Sequence, residues 1–83
     1  MNLEIDLKLR EILKQIYGVD TPVDEINPKT SLADLGVNSL GILKLMSEVE
    51  RQFGIEFSDE DFDYKNFYNL ENMTLYIEQR LSA

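Results

Sequence analysis

The chain contains no cysteine and no histidine among its 83 residues. Without cysteine it can form neither a disulfide framework nor a thiolate metal site. Without histidine it lacks the usual general base at neutral pH, the Ser–His nucleophile pair and the imidazole metal ligand. We therefore predict that the protein is not an enzyme, and that it has neither catalytic nor metal-binding residues of its own.

Basic side chains are also scarce, since eight lysines and arginines stand against sixteen acidic residues, for a net charge of −8. Such a surface repels phosphate backbones, which argues against nucleic acid and favours protein partners that carry basic patches. The sequence has no uninterrupted hydrophobic run typical of a signal peptide or a membrane span. We expect a cytoplasmic monomer that does not insert into membranes.

Hydrophobic residues make up 43% of the chain, enough for the core of one small domain over residues 1–83. Apolar residues at helical spacing predict main helices over about residues 3–17 and 39–53, and a last one after Asn69. A further short helix is predicted to begin at Ser58. The predicted fold class is all-α, a small bundle of three main helices plus one short helix, with a long loop between the first two helices.

Apolar stripes along these helices form the predicted core. Their members are Leu3, Ile5, Leu9, Ile12, Leu13 and Ile16, then Ile42, Leu45, Met46, Val49 and Phe53, and finally Leu70, Met73, Ile77 and Leu81 with Tyr76 beside them. Apolar residues are also expected to hold the long loop "VDTPVDEINPKTSLADLGVN" against the core: Val23, Ile26, Leu32 and Leu35. A loop this long in a small domain is usually functional.

Ser39 lies where this loop becomes the second helix. Asn38 is a favoured N-cap residue, so Ser39 takes the first helical position. The free N–H groups and the positive end of the helix dipole there would stabilise a phosphate ester on its hydroxyl. A serine at this position can also simply start a helix, so the local pattern alone leaves both interpretations open.

A second face of this helix adjoins the apolar stripe and comprises Leu40, Leu43, Lys44, Ser47 and Arg51. Two leucines beside a presented serine indicate a docking surface for a protein partner. The alternative is that these leucines pack under the long loop.

The stretch "DLGVNSLGILKLMSEVERQFGIEFSDEDF" resembles the core of acyl carrier proteins and related phosphopantetheine-binding domains. In that family a D-L-G-x-D-S-L motif opens the second helix, and its serine carries a 4′-phosphopantetheine arm taken from coenzyme A. The matching residues are Asp34, Leu35, Gly36, Ser39 and Leu40. The resemblance implies that a phosphopantetheinyl transferase (holo-carrier synthase) attaches the arm to Ser39. The arm's thiol would then carry acyl or aminoacyl groups as thioesters. Acyl-loading enzymes would attach these groups, and acyl-transferring enzymes would receive them.

The chain departs from the family pattern beside this serine. Asn38 replaces the family's acid, and Gly41, Lys44 and Arg51 stand on the face that usually carries acids. We interpret these departures as typical of a specialised, free-standing carrier with its own enzymes, in fatty-acid, polyketide or other biosynthesis. The predicted docking residues are Asn38, Leu40, Leu43, Lys44, Ser47 and Arg51.

Two further interpretations remain for comparison. An unmodified acidic helical module would use the same face to bind a basic protein. A calcium loop is suggested by Asp59, Asp61 and Asp63, but Tyr64 replaces the glycine and Leu70 the glutamate that such a loop requires. The neighbouring aromatic residues are instead expected to pack onto the core: Phe62, Tyr64, Phe67 and Tyr68.

Overall fold

Three α-helices dominate the computed structural model, which describes residues 2–57 and 67–82. α1 spans Leu3–Tyr17, α2 spans Ser39–Phe53 and α3 spans Leu70–Ser82. The loop between α1 and α2 contains two 3-10 turns, Val23–Glu25 and Leu32–Leu35. These residues contain no strand, so the predicted all-α class is confirmed. The short helix predicted from Ser58 lies outside the described residues.

Asparagine side chains cap the N-terminal ends of the three helices. The Asn2 side chain accepts a hydrogen bond from the Ile5 N–H at 3.2 Å, and the Asn69 side chain accepts one from the Asn72 N–H at 2.7 Å. Each satisfies one of the N–H groups that the first turn of a helix leaves without an intrahelical partner. α2 ends at Gly54, whose φ of 67° is a left-handed conformation that favours glycine. The predicted start of the last helix is confirmed.

The core lies where α1 packs against both other helices. Its buried apolar members are Ile5, Leu9, Ile12, Leu13, Val23, Leu32, Leu45, Met46, Val49, Phe67, Leu70, Met73 and Ile77. The partly buried residues around it include Ile16, Ile26, Ile42, Phe53 and Tyr76. Most of the predicted stripes are therefore confirmed.

Three leucines predicted for the core are instead exposed. Leu3 is the first residue of α1 and is 67% exposed, and Leu81, in the last turn of α3, is 49% exposed. Both stand at helix ends, where the apolar period continues beyond the packed turns. Leu35 is also exposed, and it lines the edge of a cavity that is open to solvent.

A buried ion pair ties the long loop to α1. The Arg10 guanidinium donates a hydrogen bond to the Asp6 carboxylate at 2.8 Å and another to the carbonyl of Val23 in the first 3-10 turn. Both charged side chains are buried. The other carboxylate oxygen of Asp6 has no hydrogen-bond partner in the described part of the chain, so Asp6 depends on Arg10 for its compensation. This pair was not predicted from the sequence.

Backbone hydrogen bonds hold the other end of the loop near the start of α3. The Leu32 N–H donates to the Tyr68 carbonyl at 2.9 Å, and the Glu71 N–H donates to the Pro28 carbonyl at 3.1 Å. Leu32 is itself buried, as predicted. The loop is thus fixed by α1 on one side and by the residues that lead into α3 on the other.

Breaking the Asp6–Arg10 pair should destabilise the protein more than removing both charges together. Arg10→Met leaves the Asp6 carboxylate buried without a partner and should lower the free energy of unfolding by about 3–5 kcal/mol. Asp6→Leu/Arg10→Met replaces the pair by apolar side chains and should recover much of that loss. Urea unfolding measures both values. A double variant no more stable than Arg10→Met would contradict this account.

Candidate functional site

Ser39 is the first residue of α2, and its side chain is exposed. The second 3-10 turn brings the chain to this point and ends at Gly36, which has a left-handed φ of 90°. The Val37 N–H then donates to the Leu32 carbonyl at 3.0 Å, which draws the segment back onto the buried part of the loop. The serine is therefore presented at the surface by a turn that is itself anchored in the core.

The first turn of α2 has two free hydrogen-bond donors beside this hydroxyl. The Asn38 side chain caps the helix by accepting from the Gly41 N–H at 2.9 Å, and the Asn38 carbonyl accepts from the Ile42 N–H at 3.0 Å. Within the described residues, the N–H groups of Ser39 and Leu40 donate no hydrogen bond. Free N–H groups at the positive end of a helix dipole suit a phosphate ester. The residues present thus fit a phosphate on the Ser39 oxygen.

Gly41 is buried, so its predicted place on the exposed face is wrong. A Cβ at this position would overlap the Tyr17 hydroxyl and lie 3.2 Å from a methyl group of Val37. The absence of a side chain lets the last residue of α1 lie against the first turn of α2. This close contact fixes the start of α2 relative to α1.

An apolar cavity of about 250 Å³ opens between the end of α1 and the long loop. Its lining residues are Leu13, Tyr17, Thr21, Ile26, Leu32, Leu35 and Val37. Tyr17 and Val37 belong both to this cavity and to the contact with Gly41, so the cavity adjoins the turn that presents Ser39.

The predicted docking residues all lie at the surface. Leu40 is 60% exposed and Leu43 is 48% exposed, and the other members, Asn38, Lys44, Ser47 and Arg51, are exposed as well. The alternative that the leucines pack under the loop is therefore wrong.

Part of this face forms one wall of a groove between α1 and α2, with a volume of about 440 Å³. The groove is lined by Gln15 and Ile16 of α1 and by Leu43, Lys44, Ser47 and Glu48 of α2. Sequence periodicity on α2 alone identified three of these residues but missed the contribution of α1.

Arg51 is engaged with a carboxylate on its own helix. Its guanidinium lies 2.6 Å from the Glu48 carboxylate, which also accepts from the Gln52 side chain at 3.2 Å. The Gln52 amide also lies 3.3 Å from the side-chain oxygen of Gln15 on α1. The hydrogen bond from Arg51, with that from Gln52, lowers the pKa of Glu48, and the same bond raises the pKa of Arg51. Both groups are therefore charged at neutral pH and offset each other locally.

Comparison with known proteins identifies the family. The family described as a phosphopantetheine attachment site matches residues 7–74. The chain belongs to this family. It is similar to an acyl carrier protein of Solidesulfovibrio magneticus, with 42% identity over 55 residues that cover 65% of this chain and 68% of the relative.

Two further relatives align over most of this carrier. The anthracycline acyl carrier protein DauA of Streptomyces sp. strain C5 is 30% identical over 77 residues, which cover 92% of this chain and 89% of the relative. The non-reducing polyketide synthase mapC of Penicillium roqueforti is 32% identical over 74 residues, which cover 88% of this chain but 3% of the synthase.

The protein is thus an acyl carrier that bears covalent 4′-phosphopantetheine, and it is not an enzyme. Its partners include a phosphopantetheinyl transferase and acyl-handling enzymes. Membership of this family excludes the alternative of an unmodified interaction module.

Within residues 2–57 and 67–82, every helix is too short or too polar to span a membrane. The same residues contain no cluster of acidic side chains suited to a metal ion, and Asp59, Asp61 and Asp63 lie outside them.

Substituting Gly41 should displace Tyr17 and thereby disturb the start of α2, where Ser39 lies. Alanine is the better helix former by about 1 kcal/mol, but its methyl group would overlap the Tyr17 hydroxyl and force the ring aside. In a Tyr17→Phe background the overlapping atom is absent, so Gly41→Ala should cost less there. A double-mutant cycle on the free energy of unfolding should give a coupling of at least about 0.5 kcal/mol. Equal costs in both backgrounds would show that this contact does not constrain α2.

Proposed function

We propose that Ser39 bears the phosphopantetheine arm, and that this carrier delivers polyketide-type acyl intermediates among a dedicated set of enzymes. The observation that supports the attachment site most strongly is the exposed Ser39 hydroxyl beside two free N–H groups, within the motif that the family uses. The Asn38 cap leaves those two donors available, because its side chain binds the Gly41 N–H instead.

The other described serines suit the arm less well. Ser31 is 7% exposed, which hinders access by a transferase. Ser47 lies in the middle of α2, where the backbone N–H groups are engaged in the helix. Ser82 is in the last turn of α3, where the negative end of the helix dipole disfavours a phosphate. Ser58 lies outside the described residues.

The chain and the arm have separate tasks. When bound, the arm supplies a thiol that holds the acyl group as a thioester, a group that a chain without cysteine cannot provide. Ser39 supplies the oxygen through which the arm is tethered. The anchored loop and the Gly41 contact hold that oxygen at a fixed place on the surface. Tethering keeps the intermediate at a high effective concentration near each enzyme that docks on the carrier.

Two kinds of observation support polyketide-type cargo and a dedicated set of enzymes, respectively. Relatives that align over about nine-tenths of this chain are named as anthracycline carriers, and a polyketide synthase contains a similar segment. The second is the departure from the family's acidic pattern at Asn38 and Lys44. Both side chains are exposed, so these departures alter the surface that partner enzymes meet rather than the core.

We expect Ser39→Ala to fold normally and to accept no arm. The Asn38 side chain still caps α2, so circular dichroism and the unfolding midpoint should barely change. Intact mass after incubation with coenzyme A and a transferase should show the mass of one arm on the native protein and none on the variant. Ser82→Ala, the control at an exposed serine of α3 away from the docking face, should gain the arm. A modified Ser39→Ala protein would disprove the assignment.

Asn38→Asp should speed modification by a transferase from fatty-acid synthesis. Aspartate caps a helix as well as asparagine does, so only the charge beside Ser39 changes. That charge acts on encounter and orientation, and its effect should therefore shrink as salt is raised. Asn27→Asp adds the same charge in the exposed part of the loop and serves as the control. Equal modification rates for native protein and Asn38→Asp at low salt would contradict this expectation.

A further inference from the structure

The groove between α1 and α2 combines apolar contact area with charge. Ile16 and Leu43 supply the apolar lining, and Leu43 is about half exposed. Lys44 and Glu48 supply the charged groups, and Gln15 and Ser47 the polar ones. The link between Gln52 and Gln15 at 3.3 Å connects the two helices at the groove. These features suit a protruding side chain of a partner more than a small polar ligand.

The α2 wall of the groove carries no net negative charge, although the protein is strongly acidic. Glu48 is offset by Arg51, whose guanidinium lies 2.6 Å away. Lys44 forms no ion pair with any of the described residues. The two charged lining residues, Lys44 and Glu48, sum to zero, and Arg51 beside them brings this stretch of α2 to a net charge of +1. The rest of the chain must then carry the balance of the total of −8.

We propose that this groove receives an apolar side chain flanked by a carboxylate from the acyl-handling enzymes of this carrier, and that Lys44 pairs with that carboxylate. The inference rests on the proposed function, because it assumes that such enzymes dock beside Ser39. A partner with a basic site would meet Lys44 with like charge, which disfavours docking. Lys44 therefore selects partners both by attraction and by rejection.

The structure separates two cations that the sequence analysis treated as equivalent. Arg51 forms an ion pair with Glu48, so a partner would have to break that pair before it could bind the Arg51 guanidinium. Lys44 lines the groove with its charge uncompensated by the described residues. Docking against a partner without a carboxylate would leave this ammonium group desolvated and unpaired, which is costly. The choice between partner enzymes is thus assigned to Lys44. Glu48 limits the positive charge around the groove.

An acyl-transferring enzyme of fatty-acid synthesis with a basic carrier-docking site provides the probe, together with a variant in which those basic residues are glutamate. Four holo-carriers are compared at low and high salt: native, Lys44→Glu, Glu48→Gln and Lys29→Glu. Lys29 is an exposed loop residue outside the groove, so its substitution controls for net charge. Transfer to each carrier is measured as kcat/KM with both enzymes.

The native carrier should prefer the glutamate-substituted enzyme. Lys44→Glu should shift that preference toward the basic enzyme by roughly tenfold or more at low salt, since like-charge opposition is replaced by attraction. Glu48→Gln frees Arg51 and should strengthen the native preference. Lys29→Glu should leave the preference within about twofold of native, because exposed charges far from a contact are screened. All differences should diminish at high salt.

Two results would overturn the inference. One is a Lys44→Glu carrier that is indistinguishable from Lys29→Glu although both carry the arm. The other is a native protein that forms a dimer in sedimentation experiments and loses it on Lys44→Glu, since the groove would then bind a second copy of the chain. Intact mass distinguishes these failures from failure of the proposed function. A native carrier that gains no arm on Ser39 would contradict the function itself.

Discussion

The buried ion pair between Arg10 and Asp6 is the constraint that holds the first part of the loop leading to Ser39 against α1. Arg10 joins α1 to the loop through Asp6 and the Val23 carbonyl. An 83-residue chain with about twenty residues in the loop between α1 and α2 has little core with which to restrain that loop. A buried charge that is satisfied at one position and costly at any other restrains the loop instead. The contact of Leu32 with the segment before α3 then fixes the far end.

Beyond this support, the turn that presents Ser39 is built by backbone geometry rather than by charged side chains. The start of α2 is placed against Tyr17 by three features: the turn at Gly36, the cap at Asn38 and the lack of a side chain at Gly41. None of them requires a particular charge at the surface. The exposed face of α2 is therefore free to vary in charge without loss of the fold. On our proposal, the single uncompensated cation of this face, Lys44, then directs the carrier toward its own enzymes.

Local chemistry explains why the bounds of α1 and α2 were predicted correctly. Asparagine caps and glycine ends act within one helical turn, so the sequence carries their signal directly. The packing of Gly41 against Tyr17 depends on how two helices meet, and periodicity within one helix contains no such information. The same limit applies to the groove, because its α1 wall cannot be inferred from α2. The pairing of Glu48 with Arg51 rather than Lys44 is also a choice of rotamer, which residue spacing alone does not determine.

Fragment-ion mass spectrometry of the native, fully modified protein tests the central claim most directly, because it locates the arm without altering any residue. The chain offers five serines: Ser31, Ser39, Ser47, Ser58 and Ser82. The account predicts that all fragment ions carrying the arm include Ser39, and that ions containing only the other serines are unmodified. An arm located on any other serine would contradict the assignment of the start of α2 as the attachment site.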